Sequence, residues 1–307
     1  MQPRRNLLAL ATALVAALTL GACSLLPAPD PGPTTTTIPP TTTVAPPPPT
    51  TVPVTASVGM LVWGDAGNGS TTQLEVAQQM TNWAATHRVD ALFEVGDVVY
   101  DVGDPSLFAS RIDAPYAALS ATRPFWIALG NHDVATNDGN DMLAHMGLSA
   151  HWYEQVLQRD GVSVQLLVLD SNHVSDAQTQ WLDQRLSTGS YTWRVVAFHH
   201  PAYSCGSHGN TADVDAAWVP VLQNHQVDLV LSGHDHSYQR FHNDATTYIV
   251  TGGGGASLSG VTACSSGATL DASAQRHHFL DVEATATDLV VTTVARTGET
   301  LDQVTVH

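Results

Sequence analysis

Residues 57–67 read Ser-Val-Gly-Met-Leu-Val-Trp-Gly-Asp-Ala-Gly and set the pattern from which the fold follows. The apolar run predicts a buried β-strand over Ser57–Trp63, which ends at Gly64-Asp65. Apolar residues at helical spacing then predict a helix over Thr71–His87. A strand that leads into a helix is the repeating unit of α/β folds, in which ligands bind beyond the carboxyl ends of the strands.

Four later segments repeat this pattern of an apolar strand that runs out into Asp, Asn or His. All five segments can therefore converge on one rim of the fold. A further strand, two further helices and a mostly β pattern from Tyr248 onwards complete an α/β fold without an internal repeat or a second domain. The strands are Ala91–Val95, Pro124–Leu129, Val162–Leu169, Arg194–Phe198, Asp228–Leu231 and segments near 276–284, 287–296 and 299–306; the helices are Ser175–Leu186 and Val214–His225.

The N-terminal segment predicts export. A basic start and an apolar run over Leu7–Leu20, which is short for a membrane span, predict a signal peptide over residues 1–22. The run ends in a sequence that resembles the lipobox of bacterial lipoproteins and implies a lipid anchor at Cys23, with ordinary secretion as the alternative. Residues 23–54 are rich in Pro and Thr and predict an extended linker, either a passive spacer or a glycosylated stalk. The folded domain is expected over residues 55–307, outside the cytoplasm.

The charge balance narrows the classes of partner. Acidic residues outnumber basic ones by 28 to 11, and the formal net charge is −17. Nucleic-acid binding depends on phosphate neutralisation by Lys and Arg, so this composition argues against it. An anionic membrane surface is disfavoured in the same way, which leaves the lipid at Cys23 as the only expected membrane contact. The 15 histidines instead point to metal or acid–base chemistry.

The residues at the five strand ends are metal ligands by type. Carboxylate, amide and phenolate oxygens suit hard cations, whereas imidazole suits first-row transition metals. Seven such ligands exceed the three or four that one zinc ion takes, so two metal ions that share a ligand fit better. The motifs are Gly64-Asp65-Ala66-Gly67, Gly96-Asp97-Val98-Val99-Tyr100, Gly130-Asn131-His132-Asp133, Val196-Ala197-Phe198-His199 and Gly233-His234-Asp235-His236.

In this order the motifs resemble those of the calcineurin-like metallophosphoesterase superfamily. The purple acid phosphatases share the five motifs DxG, GDxxY, GNH(D/E), VxxH and GHxH. The Tyr of GDxxY is the most specific residue of this set. Pro201 and His208-Gly209, downstream of His199, are similar to the tartrate-resistant, single-domain branch. The resemblance implies a four-layer αββα sandwich with two mixed β-sheets.

The resemblance also implies the roles of the site residues. The first metal ion would be Fe(III), because a phenol becomes a ligand at acid pH only beside a strongly charged cation. The second ion would be Fe(II), Zn(II) or Mn(II), with Asp97 as the bridge. His132 and His208 would contact the phosphate and protonate the leaving group. The implied ligands are Asp65, Asp97, Tyr100 and His236 for the first ion, and Asp97, Asn131, His199 and His234 for the second.

The expected activity is that of an exported acid phosphatase, which hydrolyses small-molecule phosphate monoesters with water activated by the two metal ions. Two alternatives remain open at this point. One is a phosphodiesterase that acts on cyclic nucleotides or phospholipid headgroups at the same site. The other is a surface lipoprotein that binds phosphate or metal without turnover. A monomer is favoured, and the physiological substrate and pH optimum are left open.

Cys205 and Cys264 follow predicted strands, and both are expected near the site. In an exported protein a disulfide between them is expected. Spacing along the chain does not by itself show that their Cα atoms approach within bonding range, so two free thiols remain the alternative.

Overall fold

The computed structural model of the protein describes residues 56–262, 264 and 267–306. These residues form thirteen β-strands and five α-helices that alternate over the first two thirds of the domain and give way to strands towards its end. The strands are β1 (Val58–Trp63), β2 (Ala91–Glu94), β3 (Phe125–Ile127), β4 (Tyr153–Arg159), β5 (Val162–Val168), β6 (Trp193–Ala197), β7 (Leu229–Ser232), β8 (Tyr238–Asn243), β9 (Thr246–Thr251), β10 (Thr269–Ala274), β11 (His278–Ala284), β12 (Leu289–Ala295) and β13 (Thr300–Val306). The helices are α1 (Thr71–Ala84), α2 (Ala114–Ser120), α3 (Asn140–His145), α4 (Asp176–Leu186) and α5 (Ala212–Asn224).

The strands form two mixed sheets. The first has six strands in the order β13-β12-β11-β1-β2-β3, in which β1, β2 and β3 are parallel and β11 to β13 antiparallel. The second has seven strands in the order β10-β8-β9-β7-β6-β5-β4, in which β5, β6, β7 and β9 are parallel. Each sheet thus places the carboxyl ends of a parallel segment along one edge, where polar loop residues can meet.

Alternate residues of β1 show how the layers are built. Met60 and Val62 face the core between the two sheets, whereas Leu61 and Trp63 face the outer helices of the first sheet. Successive side chains of a strand point to opposite faces, so a strand buried on both sides is apolar throughout. All six residues of β1 are buried for this reason.

Helices cover the outer face of each sheet. Helices α1 and α2 pack on the first sheet through residues such as Met80 and Tyr116. Helices α4 and α5 pack on the second sheet through residues such as Leu182 and Trp218. The result is the four-layer αββα arrangement with two mixed sheets that the sequence predicted.

Several elements lack a clear sequence signal. Strand β4 was not predicted, because it pairs only with β5 at the edge of its sheet and most of its residues are only partly buried or exposed. Strand β8 and the short helices α2 and α3 were not predicted either. Helix α1 ends at Ala84 and not at His87, because the chain turns after Ala84. The other predicted helices and strands are present, with ends shifted by a few residues.

The predicted signal peptide, the lipid-bearing Cys23 and the linker over 23–54 lie outside the described residues. Across the part of the chain that the structure describes, the helices include none with the length and hydrophobicity of a membrane-spanning segment.

Candidate metal centre

The loops that follow β1, β2, β3, β6 and β7 meet at the carboxyl ends of both sheets. They bring the seven predicted ligands into two adjacent groups that share Asp97. Five loops that are distant in sequence form one site because the two parallel segments present the same ends to it.

The first donor group surrounds the hydroxyl of Tyr100. This hydroxyl lies 3.0 Å from Oδ2 of Asp97, 3.3 Å from Oδ1 of Asp65 and 3.1 Å from Nε2 of His236. The carboxylates of Asp65 and Asp97 and the ring of His236 offer ligand atoms that all lie within 4.8 Å of one another. Nδ1 of His236 lies 2.8 Å from the carbonyl oxygen of Ser257, which leaves Nε2 directed at the group. Three oxygens and one imidazole nitrogen therefore face a common point.

The second donor group surrounds His199. Its Nδ1 lies 3.0 Å from the carbonyl oxygen of Val95, so that Nε2 faces Oδ1 of Asn131 at 3.2 Å and Oδ2 of Asp97 at 3.4 Å. The ring of His234 lies 5.2 Å from that of His199, centroid to centroid. Ligand atoms of both rings fall within one cluster that could hold a metal ion. This group is richer in nitrogen than the first.

The backbone at the site is unusual in a way that fits its role. Asp65, Asp97 and His234 all adopt positive φ angles, of 57°, 54° and 70°. Such conformations cost about 1–3 kcal/mol each in non-glycine residues and concentrate at functional sites. Glycine at 130 is required by close approach, because a Cβ atom there would lie 2.1 Å from Oδ1 of Asp97.

Opposite charges stabilise the second group. Burial acts to lower the pKa of His199, but the adjacent carboxylate of Asp97 raises it to about 10. Burial alone would raise the pKa of Asp97, but the charge and hydrogen bond of His199 hold it well below its usual range. The site therefore favours positive charge between these two side chains, which is what a bound cation supplies.

The remaining ligands are also suited to a cation. Burial, with the nearby His199 and His200, lowers the pKa of His234 to about 2, so that its ring is neutral and can bind metal. Burial and the carboxylates of Asp65 and Asp97 raise the pKa of Tyr100 strongly. Its phenol can ionise only if a strongly charged cation is bound next to it. The donor set thus fits two metal ions: a hard, highly charged ion beside Tyr100 and a first-row divalent ion beside His199.

The two proposed acid–base histidines lie on different sides of the site. The ring of His132 packs 4.4 Å from that of Tyr100, and its Nε2 lies 3.9 Å from Oδ2 of Asp97. The ring of His208, which is exposed, lies 4.1 Å from that of His234. One histidine therefore adjoins each donor group, and both are open to solvent from which a substrate would enter.

Two buried aspartates position these loops. The carboxylate of Asp133 accepts the backbone N–H groups of Val98, Val99 and Gly130. That of Asp235 accepts the backbone N–H of His208 at 3.1 Å and the hydroxyl of Ser204 at 2.5 Å. These hydrogen bonds fix the loops that follow β2 and β3 relative to each other, and the His208 loop relative to His234.

Sequence reasoning did not assign a role to His200. Its ring lies 4.5 Å from that of His234, and its ligand atom falls within the same cluster as those of His199 and His234. Its Nδ1 lies 2.9 Å from the hydroxyl of Ser171, and burial with the adjacent His199 lowers its pKa to about 3. Adjacency to His199 was the only signal in the sequence, and it does not show on which side of the chain the ring lies.

A disulfide joins Cys205 to Cys264, whose Cα atoms are 5.3 Å apart. The expectation of a disulfide between these cysteines is therefore confirmed. Cys205 directly follows Ser204, whose hydroxyl binds Asp235. The covalent link thus borders the loop that carries His208.

The protein-family model described as calcineurin-like phosphoesterase matches residues 61–238 of the chain. The matched segment contains all seven predicted ligands as well as His132 and His208. It therefore coincides with the part of the chain that builds the site.

Similar curated proteins are acid phosphatases. Purple acid phosphatase 3 of Arabidopsis thaliana is 32% identical over 236 residues, which cover 65% of this chain and 63% of the relative. Tartrate-resistant acid phosphatase type 5 of Sus scrofa is 24% identical over 231 residues, which cover 62% of this chain and 68% of the relative. The chain thus spans less than two thirds of the plant relative's length.

Solved structures show the same fold. Purple acid phosphatase PPD1 from yellow lupin seeds superposes with a TM-score of 0.69 at 17% identity, covering 81% of this chain and 53% of the other. A structure described as GAP50, the anchor in the inner membrane complex of Plasmodium, gives 0.72 at 18% identity, covering 82% and 89%. The fold is therefore shared by an acid phosphatase and by a protein described as an anchor, so activity has to be argued from the site.

Proposed function

The chain belongs to the calcineurin-like phosphoesterase family, and on this premise we propose that it is an acid phosphatase of the purple acid phosphatase type that hydrolyses phosphate monoesters. The observation that carries the proposal is the position of the Tyr100 hydroxyl, within 3.3 Å of Asp65, Asp97 and His236. A phenol in the donor set separates this type from phosphoesterases whose ligands are only carboxylates, amides and imidazoles. The similarity to plant and mammalian acid phosphatases supports it.

The ligand residues would hold two metal ions. Asp65, Tyr100 and His236 would hold Fe(III), Asn131, His199 and His234 would hold Fe(II), Zn(II) or Mn(II), and Asp97 would bridge them. When bound, such a pair supplies Lewis-acid charge to the phosphate and lowers the pKa of coordinated water. The contacts of Asp97 Oδ2 with both Tyr100 and His199 support this bridging role.

The protein's own residues would orient the ester and transfer the proton. His132, beside the first group, and His208, beside the second, are close enough to contact a phosphate bound between them and the ligands. One of them would donate a proton to the leaving oxygen as the P–O bond breaks, which is typically worth about 10²–10⁴-fold in rate. Asp133 and Asp235 would act as positioning residues through their hydrogen bonds to the surrounding loops.

Activity at acid pH is consistent with the charges of the site. Asp97 keeps a pKa well below its usual range because His199 stabilises its charged form. The bridging ligand therefore remains ionised in mildly acidic solution. The disulfide between Cys205 and Cys264 supports a location outside the cytoplasm. We propose that the protein is exported and either anchored by lipid at Cys23 or secreted, and that it acts as a monomer on small phosphate esters.

Hydrolysis of a matched pair of substrates tests this function. The metal-loaded protein is assayed between pH 4 and pH 8 with 4-nitrophenyl phosphate and bis(4-nitrophenyl) phosphate, beside Asp97→Asn. We expect faster turnover of the monoester at acid pH, and loss of both turnover and bound metal in the variant. Faster turnover of the diester would instead support a phosphodiesterase. Bound metal with no turnover of either substrate would support a binding protein.

A further inference from the structure

A second cluster of metal-binding side chains lies outside the donor groups described above, next to the carboxyl end of β5. One ligand atom from each of Asp138, His151 and His173 lies within 4.8 Å of the other two. Nε2 of His173 lies 3.7 Å from Oδ1 of Asp138, and Nε2 of His151 lies 3.4 Å from Oδ1 of Asn140. None of these residues belongs to the five motifs that form the catalytic centre.

A buried carboxylate orients both imidazole rings. Oδ2 of Asp170 lies 3.0 Å from Nδ1 of His151 and 3.1 Å from Nδ1 of His173. Oδ1 of the same carboxylate accepts the backbone N–H and the side-chain amide of Asn172. Metal-binding histidines usually donate their second ring nitrogen to a carboxylate or carbonyl, which fixes the tautomer and the orientation of the ring. Here a single aspartate, 1% exposed, contacts Nδ1 of both rings, so that both Nε2 atoms face away from it and can act as metal ligands.

We propose that Asp138, His151 and His173 bind one divalent transition-metal ion, for which Zn²⁺ is the best match, and that Asp170 positions the two histidines. Two imidazoles and one carboxylate form a donor set that Zn²⁺ commonly accepts, whereas Mg²⁺ and Ca²⁺ prefer oxygen ligands alone. The side chains of Asp138 and His173 are 57% and 59% exposed, so an ion can enter from solvent. The remaining coordination positions would go to water or to Oδ1 of Asn140.

The cluster joins two segments that flank the catalytic centre. Asp138 lies in the chain that follows the Gly130–Asp133 motif, whereas Asp170 and His173 follow β5. The side-chain amide of Asn172 donates to the carbonyl oxygen of Leu129 at 2.9 Å, directly before that motif. The hydroxyl of Ser171 contacts His200. An ion at this site would therefore hold the two segments together at the side of the second donor group.

Zinc uptake by the protein with its catalytic centre already filled tests the proposal without reference to activity. Zn²⁺ is titrated into the full chain by calorimetry, and Co²⁺ is used in parallel for its visible absorption. The variants are His173→Ala, Asp138→Asn and Asp170→Asn. The matched control is His242→Ala, because His242 forms an exposed pair with Asp271 at 2.8 Å but belongs to no cluster of three metal-binding side chains among the described residues.

We expect wild type and His242→Ala to take up one additional equivalent of Zn²⁺ per chain. His173→Ala and Asp138→Asn should lose this equivalent, and Asp170→Asn should bind it about 10–100-fold more weakly. Circular dichroism measures whether each variant is folded. If His173→Ala does not fold, Asp138→Asn tests the site in its place, because it changes an exposed side chain. Wild type that takes up no additional equivalent, or folded cluster variants that bind it as tightly as wild type, would overturn the proposal. Turnover by the catalytic centre is scored separately, so failure here is distinguishable from failure of the proposed function.

Discussion

The hydroxyl of Tyr100 lies 3.0 Å from Oδ2 of Asp97. Only two residues lie between them in sequence, and the loop after β2 brings the phenol back to the carboxylate that also lies 3.4 Å from Nε2 of His199. Asp97, which we propose to bridge the two metal ions, therefore contacts Tyr100, which we propose as the ligand that selects Fe(III) at the first position. We therefore expect Tyr100 to determine which metal ion the first donor group binds.

Replacement of Tyr100 by Phe removes the phenolic oxygen and keeps the ring. We expect the iron-loaded variant to lose its visible phenolate-to-iron absorption band and to bind iron at least about tenfold more weakly. Visible spectra and metal analysis at pH 5 measure both effects. Tyr191→Phe is the control, because its hydroxyl contacts Glu154 far from the site. An unchanged band in Tyr100→Phe would show that the phenol is not a ligand.

Substitution of His132 or His208 by Ala should reduce the rate of hydrolysis most for substrates with poor leaving groups. An alkyl alcohol needs a proton as it leaves, whereas 4-nitrophenolate is a stable anion. If the residue is the general acid, kcat for an alkyl phosphate should fall by about 10²–10⁴-fold and kcat for 4-nitrophenyl phosphate by much less. His145→Ala, an exposed histidine paired with Asp113, is the control. Equal losses on both substrates would indicate phosphate binding and not proton transfer.

Glu94 should make the protein less stable as pH rises. It is 1% exposed, and the groups beside its carboxylate are the Trp63 side chain and the backbone of Ala66. Burial, with the charges of Asp133 and Asp65, raises its pKa well above 4.5. Below the pKa of the unfolded chain both states are protonated. As pH rises above about 4.5, the unfolded chain ionises first and is favoured, until the pH passes the folded pKa.

Glu94→Gln should therefore unfold at a higher temperature than wild type at pH 7.5, by a few degrees, with a smaller difference at pH 4.5. Thermal and urea unfolding of the metal-loaded proteins at both pH values measure this. Glu283→Gln, on an exposed side chain of β11, should change little. A variant less stable than wild type at pH 7.5 would contradict the expectation.

The Cys205–Cys264 disulfide should contribute to the stability of the domain. It joins residues 59 apart in sequence, and a crosslink of this span typically contributes about 2–4 kcal/mol by constraining the unfolded chain. The double variant Cys205→Ser/Cys264→Ser should then melt about 5–15 °C lower in calorimetry. A reducing agent should lower the melting temperature of wild type and leave that of the double variant unchanged. Equal melting temperatures would show that the crosslink adds no stability.

Local patterns in the sequence were enough to predict which residues form the candidate metal centre. Each ligand motif follows an apolar strand, and parallel strands bring their carboxyl ends together, so Asp65, Asp97, Asn131, His199 and His234 could be expected at one rim. The α/β class follows from the same alternation, whereas the four-layer arrangement was expected from the family resemblance. Edge strand β4 could not be found in this way, because Leu157 is its only buried residue and the strand is defined by its pairing with β5.

The fold class, the ligand types and their order could be predicted from residue spacing, because they depend on short-range patterns of apolar and polar residues. That His200 lies beside His234, and that Asp138, His151 and His173 meet around Asp170, became visible only in the folded chain. These residues carry no shared motif, and their approach depends on how the loops after β3 and β5 pack against each other. Contacts of that kind are set by the three-dimensional arrangement of whole segments, which residue spacing along the chain does not encode.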